Sequence, residues 1–110
     1  MGYHFHRPRL LEEALTHKSY SNERRSKDRQ QIERLEFLGD AVLSRVISEY
    51  LATELPDSTE GALSKLKARL VSEASLAKAA RRMDLGRFLR LGKGEELSKG
   101  REKHSLLADA

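Results

Sequence analysis

Apolar residues along this chain recur at intervals of three and four, and sustained alternation is rare. That period marks amphipathic helices, so the chain is expected to be all-α. Prolines stand only at positions 8 and 56, which leaves long stretches open to helix. A first helix is expected from about Pro8 to Thr16, carrying Leu10, Leu11, Ala14 and Leu15. Ser21 to Gln31 is polar and charged throughout, and reads as a mobile surface loop. A long helix follows to about Thr53, stopped by Pro56, with a core stripe of Leu35, Leu38, Val42 and Val46. Gly39 lies beside that stripe; it costs about 1 kcal/mol relative to Ala, which points to close approach of another helix.

Beyond Pro56, Asp57 or Ser58 is placed to cap a helix whose apolar stripe is Leu63, Leu66, Leu70 and Val71. Another helix is expected from about Ala74 to Asp84, with Leu76, Ala80 and Met83 inward and Gly86 closing it. Gly92 to Gly100 reads as a loop with three glycines, and Ser105 as the cap of a final helix that has barely begun at Ala110. There is no internal repeat or low-complexity segment.

Bulk properties narrow this modestly. One domain with a modest core is what 110 residues allow. The absence of cysteine excludes disulfides and thiolate metal sites, and agrees with a reducing cytoplasm. No apolar run approaches the length of a bilayer span, and Met1 to Pro8 has no apolar signal region, so the expectation is a cytoplasmic protein with no membrane partner. A net charge of +4 is compatible with a polyanionic partner without requiring one.

The chemistry concentrates in Glu33-Arg34-Leu35-Glu36-Phe37-Leu38-Gly39-Asp40. On a helix, Glu33, Glu36 and Asp40 fall within roughly 60° of arc. Continuing that arc gives Ile47 and Leu51, so the acidic stripe runs on into an apolar one. Like charges crowded in a partly dry place repel, and a hard cation such as Mg²⁺ is the simplest group that makes the arrangement favourable. The alternative is an ordinary amphipathic helix whose charges face water. Phe37 sits roughly 145° from the centre of the apolar stripe, which suggests a second apolar surface. Lys65 and Arg69 share a helix face and suit phosphate contact or simple solvation, with Lys67 pointing elsewhere. His17, at a helix end, reads as structural and is given no catalytic role. His4, His6 and His104 are too scattered for a transition-metal site. Gly92-Lys93-Gly94 lacks the strand-to-helix context of a nucleotide cradle.

Glu33 through Leu43 resembles, nearly residue for residue, the signature helix of the ribonuclease III family. Ala14-Leu15-Thr16-His17-Lys18-Ser19-Tyr20, Glu60-Gly61, Leu89 to Glu95 and Ser105 to Ala110 are similar to further family motifs, in the family's order. The resemblance covers almost the whole chain. It implies a ribonuclease III endonuclease-domain helical bundle of the bacterial type. It further implies an Mg²⁺-dependent endoribonuclease, with Mn²⁺ able to substitute, that cleaves double-stranded RNA in rRNA and mRNA processing. The implied products carry 5′-phosphate and 3′-hydroxyl ends. By resemblance Glu36, Asp40 and Asp109 are catalytic metal ligands, and Glu33 and Glu60 supporting acids near the site. For Glu33 and Glu60 the alternative is a helix-dipole acid in a first turn. Phe37, by the same likeness, inserts into the partner of a homodimer; packing on the first helix is its alternative.

Family members carry a second acidic ligand three residues after the position of Asp109, and bacterial members commonly add a double-stranded RNA-binding domain. The 110 residues therefore resemble a catalytic domain cut inside its last catalytic helix. Ile32 departs from the family pattern, which often has asparagine there. A non-catalytic binding module that keeps the fold to dock RNA or protein is the rival reading. A helical protein-interaction domain with no RNA role is the third.

Overall fold

The computed structural model describes residues 2–22 and 26–110. Its helices are α1 (Pro8–Ala14), α2 (Lys18–Asn22), α3 (Ser26–Glu54), α4 (Glu60–Leu70), α5 (Glu73–Arg82), α6 (Lys93–Leu97) and α7 (His104–Asp109), with 3-10 turns at Leu85–Phe88 and Gly100–Glu102. Among the described residues there is no strand, only one isolated bridge between Thr16 and Arg90. The all-α expectation therefore holds.

α3 is the long element: 29 residues, or about 44 Å at 1.5 Å per residue. It starts earlier than the apolar pattern suggests. The loop expected over Ser21–Gln31 is helical on both sides, in α2 and in α3 from Ser26 onward, while positions 23–25 lie outside the described residues. Lys27, Arg29, Gln30 and Gln31 are good helix formers, and Arg29 pairs with Glu33 one turn on at 3.4 Å. A polar helix extension needs no apolar period, which is why the pattern misses it.

The inward face of α3 also differs from expectation. Leu35 is half-buried, but Leu38, Val42 and Val46 are 56–63% exposed. The stripe that packs inward is Leu43, Ile47 and Leu51, the continuation of the acidic arc. Both stripes are apolar at helical spacing, and periodicity alone cannot tell which one the rest of the chain covers. Gly39 is open: a Cβ there would meet nothing within 4 Å, so close helix approach inside these residues is not its purpose.

Thr59, not Asp57 or Ser58, caps α4; its hydroxyl accepts from the Ala62 N–H at 3.2 Å. The helix opens at Glu60, and only the residue just before that opening can reach the free N–H groups. Ser72 caps α5 in the same manner, accepting from Ser75 N at 3.3 Å. α5 ends at Arg82, and Asp84, two residues on, has a φ of 55° that no helix continues through. Met83 therefore lies half in solvent instead of inward, and Gly86 is not the stop signal expected of it. Gly86 is needed for space, since a Cβ there would sit 2.8 Å from the Arg101 carbonyl oxygen. The expected glycine loop at 92–100 contains α6, whose first turn carries Glu95 and Glu96 against the helix dipole. α7 opens at His104 after Lys103, so Ser105 lies inside the helix instead of capping it.

The packed centre is small. Ala77 and Ala80 of α5, Leu106 and Leu107 of α7, and Leu89 and Leu91 between them form the buried cluster, with Leu15 and Leu85 against it. The alanines let α5 and α7 approach closely. Arg101 ties the surrounding turns together, donating to the carbonyls of Gly86 and Leu89 while pairing with Glu96. Leu107 is 3% exposed, and Leu107→Ala is expected to cost about 2–5 kcal/mol through lost burial and a residual cavity. Urea denaturation would show this as a lower midpoint at unchanged slope. α3 extends beyond this centre: the radius of gyration is 15.7 Å against about 13 Å for a compact chain of this length.

Candidate active site

The ends of the chain are brought to α3 by a short backbone staple. His17 N donates to the Arg90 carbonyl at 2.9 Å, and Arg90 N donates to the Leu15 carbonyl at 2.8 Å. Thr16, buried between them, turns its hydroxyl back to the Glu12 carbonyl at 2.6 Å. The Arg90 guanidinium lies over the Tyr20 ring at 4.9 Å and completes the joint. α7 is held to α5 by Leu106 and Leu107, which carries Asp109 to the same side.

An open cleft of about 830 Å³ results, lined by residues from α1–α3, α5 and α7. Glu33, Glu36, Asp40, Glu73 and Asp109 face it, with Lys18 as the cationic side chain of its lining. Glu36, Asp40 and Asp109 are solvent-exposed and make no ion pair among the described residues. Glu33 pairs with Arg29. It lies two turns inside α3, so it is not the first-turn acid that the shorter expected helix would have made it.

Phe37 also borders the cleft and is 76% exposed, so it does not pack on α1. Glu60 lies elsewhere, in the first turn of α4, where its carboxylate accepts from the Ser64 hydroxyl at 2.7 Å. Lys65 and Arg69 are exposed on α4 and also outside the cleft lining, while Lys67 is half-buried.

Two cleft residues escape a reading of the sequence. Glu73 is an ordinary first-turn acid of α5, and nothing local marks it. His17 belongs to the lining because of the bridge to Arg90, a contact with no local signal. Near His17, Glu95 is half-buried and bound by Lys103 at 3.0 Å. Hydrogen bonding from Lys103 holds the Glu95 carboxyl below its ordinary value.

Burial pushes the His17 imidazole below its usual 6.5, against opposing pulls from Glu95 and Asp109. A depressed folded-state value means that the unfolded chain binds more protons as pH falls through 6.5. The His17 contribution is thus complete above that pH and lost on acidification. Urea midpoints at pH 7.5 and pH 5.5 should therefore fall less for His17→Gln than for the unchanged protein.

The donor chemistry of the cleft fits a hard divalent cation: carboxylates from α3, α5 and α7 line it, and the chain has no thiol. Among the described residues, no three acidic or histidine side chains gather tightly enough to enclose an ion.

Residues 7–110 match the Ribonuclease-III-like family. The chain is 56% identical to Ribonuclease 3 of Desulforamulus reducens over 110 residues, all of this chain and 45% of that protein. It is 50% identical to Ribonuclease 3 of Pseudothermotoga lettingae over 112 residues, 99% of this chain and 47% of that one. These 110 residues thus span about half the length of the curated relatives they match. Two solved structures of the nuclease domain of ribonuclease III from Campylobacter jejuni superpose with TM-scores of 0.86 and 0.84 at 47% identity. They cover 97% of this chain and 71% and 69% of those chains, and one is described for flexibility in the region involved in its dimer formation. The fold is that of a ribonuclease III nuclease domain, and the chain belongs to the Ribonuclease-III-like family.

Proposed function

We propose that these residues form the catalytic part of a double-stranded-RNA-specific endoribonuclease. The observation that carries this reading is that Glu36, Asp40 and Asp109, from distant parts of the chain, face one cleft and form no ion pair among the described residues. Glu36, Asp40 and Asp109 hold a divalent cation there, Mg²⁺ in the first instance with Mn²⁺ able to substitute, and a further acidic ligand three residues beyond Asp109 completes the set. The bound cation supplies charge neutralisation at the phosphate and a more acidic attacking water.

The chain's own groups do the rest. Glu33 and Glu73 add to the negative charge of the cleft lining. Water oxygen bonds to phosphorus in line as the bond from phosphorus to the 3′ oxygen breaks. The products are a 5′-phosphate and a 3′ oxygen that takes up a proton. Double-helical RNA is recognised through shape, phosphates and 2′-hydroxyls, with Lys65 and Arg69 as candidate phosphate contacts and Glu60 as a supporting acid. Phe37 joins two protomers, so that each contributes one cleft to the duplex. The setting is rRNA and other RNA processing in the cytoplasm. Among the described residues no helix is long and apolar enough to cross a membrane.

The test is incubation of long double-stranded RNA, with and without Mg²⁺, with this chain and with a form continued at its C-terminus as in the relatives. Mg²⁺-dependent cleavage by the continued form, ending in 5′-phosphates, is the expected result. Among the described residues no three acidic or histidine side chains gather into a metal cluster, which favours a second reading, a non-catalytic module that docks RNA or protein. A folded, RNA-binding protein that cleaves in neither form would establish that one.

A further inference from the structure

The imidazole of His17 is fixed by two backbone N–H groups, and they determine which nitrogen carries its proton. Ser19 N lies 3.1 Å from His17 Nδ1, and a backbone N–H can only donate, so Nδ1 is an acceptor and bears no hydrogen. Gly92 N donates to Ser19 Oγ at 3.0 Å. The Ser19 hydroxyl hydrogen is therefore available to Nδ1, 2.8 Å away. Both donors converge on one nitrogen, and the ring is left neutral with its hydrogen on Nε2. His17 is half-buried and lines the carboxylate cleft; no hydrogen bond to Nε2 is made among the described residues, and Nε2 is not sealed from solvent.

We infer that His17 is a substrate-binding residue of this cleft, presenting a neutral Nε2–H to a non-bridging oxygen of the RNA backbone beside the scissile phosphate. This rests on the endonuclease reading. Glu33, Glu36, Asp40, Glu73 and Asp109 make the cleft hostile to a polyanion, and Lys18 is the cation of its lining. A donor without charge suits such a place, since it can bond a phosphate oxygen without forming an ion pair with the carboxylates that must stay free. The Gly92–Ser19–His17 chain, joining positions 73 apart, sets the ring plane before substrate arrives, so little ordering cost falls on binding. A purely structural histidine at a helix end would use Nδ1 for the turn equally well, so the two roles differ in whether Nε2 contributes to RNA binding.

The experiment compares His17→Gln, which can place an amide N–H near the Nε2 position, with His17→Asn, which keeps a group at Nδ1 but not at Nε2. All proteins are made in the continued form. First, nitrogen NMR of the unchanged protein at pH 7.5 should show a neutral His17 with hydrogen on Nε2; a charged ring or the opposite tautomer overturns the inference. Second, affinity for a 20-base-pair RNA duplex is measured in chelator across a salt series. His17→Asn should weaken binding about three- to tenfold, with an unchanged salt slope because no counterion is released to a neutral donor. His17→Gln should bind within twofold of the unchanged protein. Equal affinities for all three overturn the inference, and so does a shallower slope in His17→Asn, which marks a charged contact instead. The unchanged protein and Asp40→Asn are run beside them in cleavage: if the unchanged protein does not cleave, the endonuclease reading has failed, whereas normal cleavage by Asp40→Asn removes only Asp40 from the ligand set. If it is inactive while His17→Asn binds and cleaves normally, only the role of His17 has failed.

Discussion

Asp40→Asn is expected to abolish Mg²⁺-dependent cleavage while sparing the fold and most RNA affinity. Asp40 lies on α3 in the lining of the cleft, exposed and in no ion pair among the described residues, so its charge is not part of the scaffold. Asn keeps the size and one oxygen but removes the negative charge that a hard cation needs. A cation's stabilisation of developing charge is worth several kcal/mol, so the loss should be about 10²–10⁴-fold in the chemical step. Thermal midpoints should hold or rise slightly, because one repelling carboxylate is gone from the cleft. Single-turnover cleavage and duplex binding in chelator, measured on the same protein, separate the two effects. Cleavage within tenfold of the unchanged protein would remove Asp40 from the ligand set. Weakened binding with intact chemistry would make it a substrate contact instead.

That Asp40 and Glu36 share a face was legible from spacing alone, because 3.6 residues per turn fixes which positions align. The continuation of that arc into Ile47 and Leu51 also holds, since these two point inward. Asp109 was not legible in this manner. It reaches the cleft because Leu106 and Leu107 dock on Ala77 and Ala80, and packing between remote segments leaves no periodic trace in either. Only the resemblance of its motif to a family singled it out.

His17 shows the same limit more sharply. Its residue type and helix-end position fit a structural role, and the bridge to Arg90 that turns it into the cleft is non-local. The short connections misread at Gly86 and Gly92–Gly100 have another cause. Gly86 and Gly100 are small because carbonyls and side chains crowd them at 2.8–2.9 Å, not because the backbone needs a left-handed turn there. The left-handed positions are Asp84, a residue type that tolerates them, and Lys99, one that seldom takes them. The stripe of Leu38, Val42 and Val46 was legible as apolar, but its cover was not. An apolar ridge at helical spacing states that something packs on it, and Tyr50 extends this one by another turn while all four stay largely exposed.

Phe37→Ala is expected to convert the proposed dimer to monomer at micromolar concentrations. Phe37 is 76% exposed at the border of the acidic cleft, roughly 140° round α3 from the middle of the Leu38–Val42–Val46 ridge. A phenylalanine held that far into water gains from a second surface, and a pocket on a twofold-related copy gives it one. A buried aromatic anchor is worth about 2 kcal/mol or more at an interface. Twofold symmetry applies the change twice, so the total of about 4 kcal/mol raises the dimer Kd about a thousandfold. Sedimentation equilibrium across a concentration series measures this directly. Leu97→Ala is the control, since Leu97 is still more exposed, at 87%, but lies on α6 outside the cleft lining. It should leave the dimer intact. A dimer equally stable in Phe37→Ala would remove Phe37 from the interface. Loss of cleavage together with loss of the dimer would tie catalysis to assembly, because a duplex has two strands and each protomer offers one cleft. Unchanged cleavage by the monomer would separate them and leave each cleft acting on one strand alone.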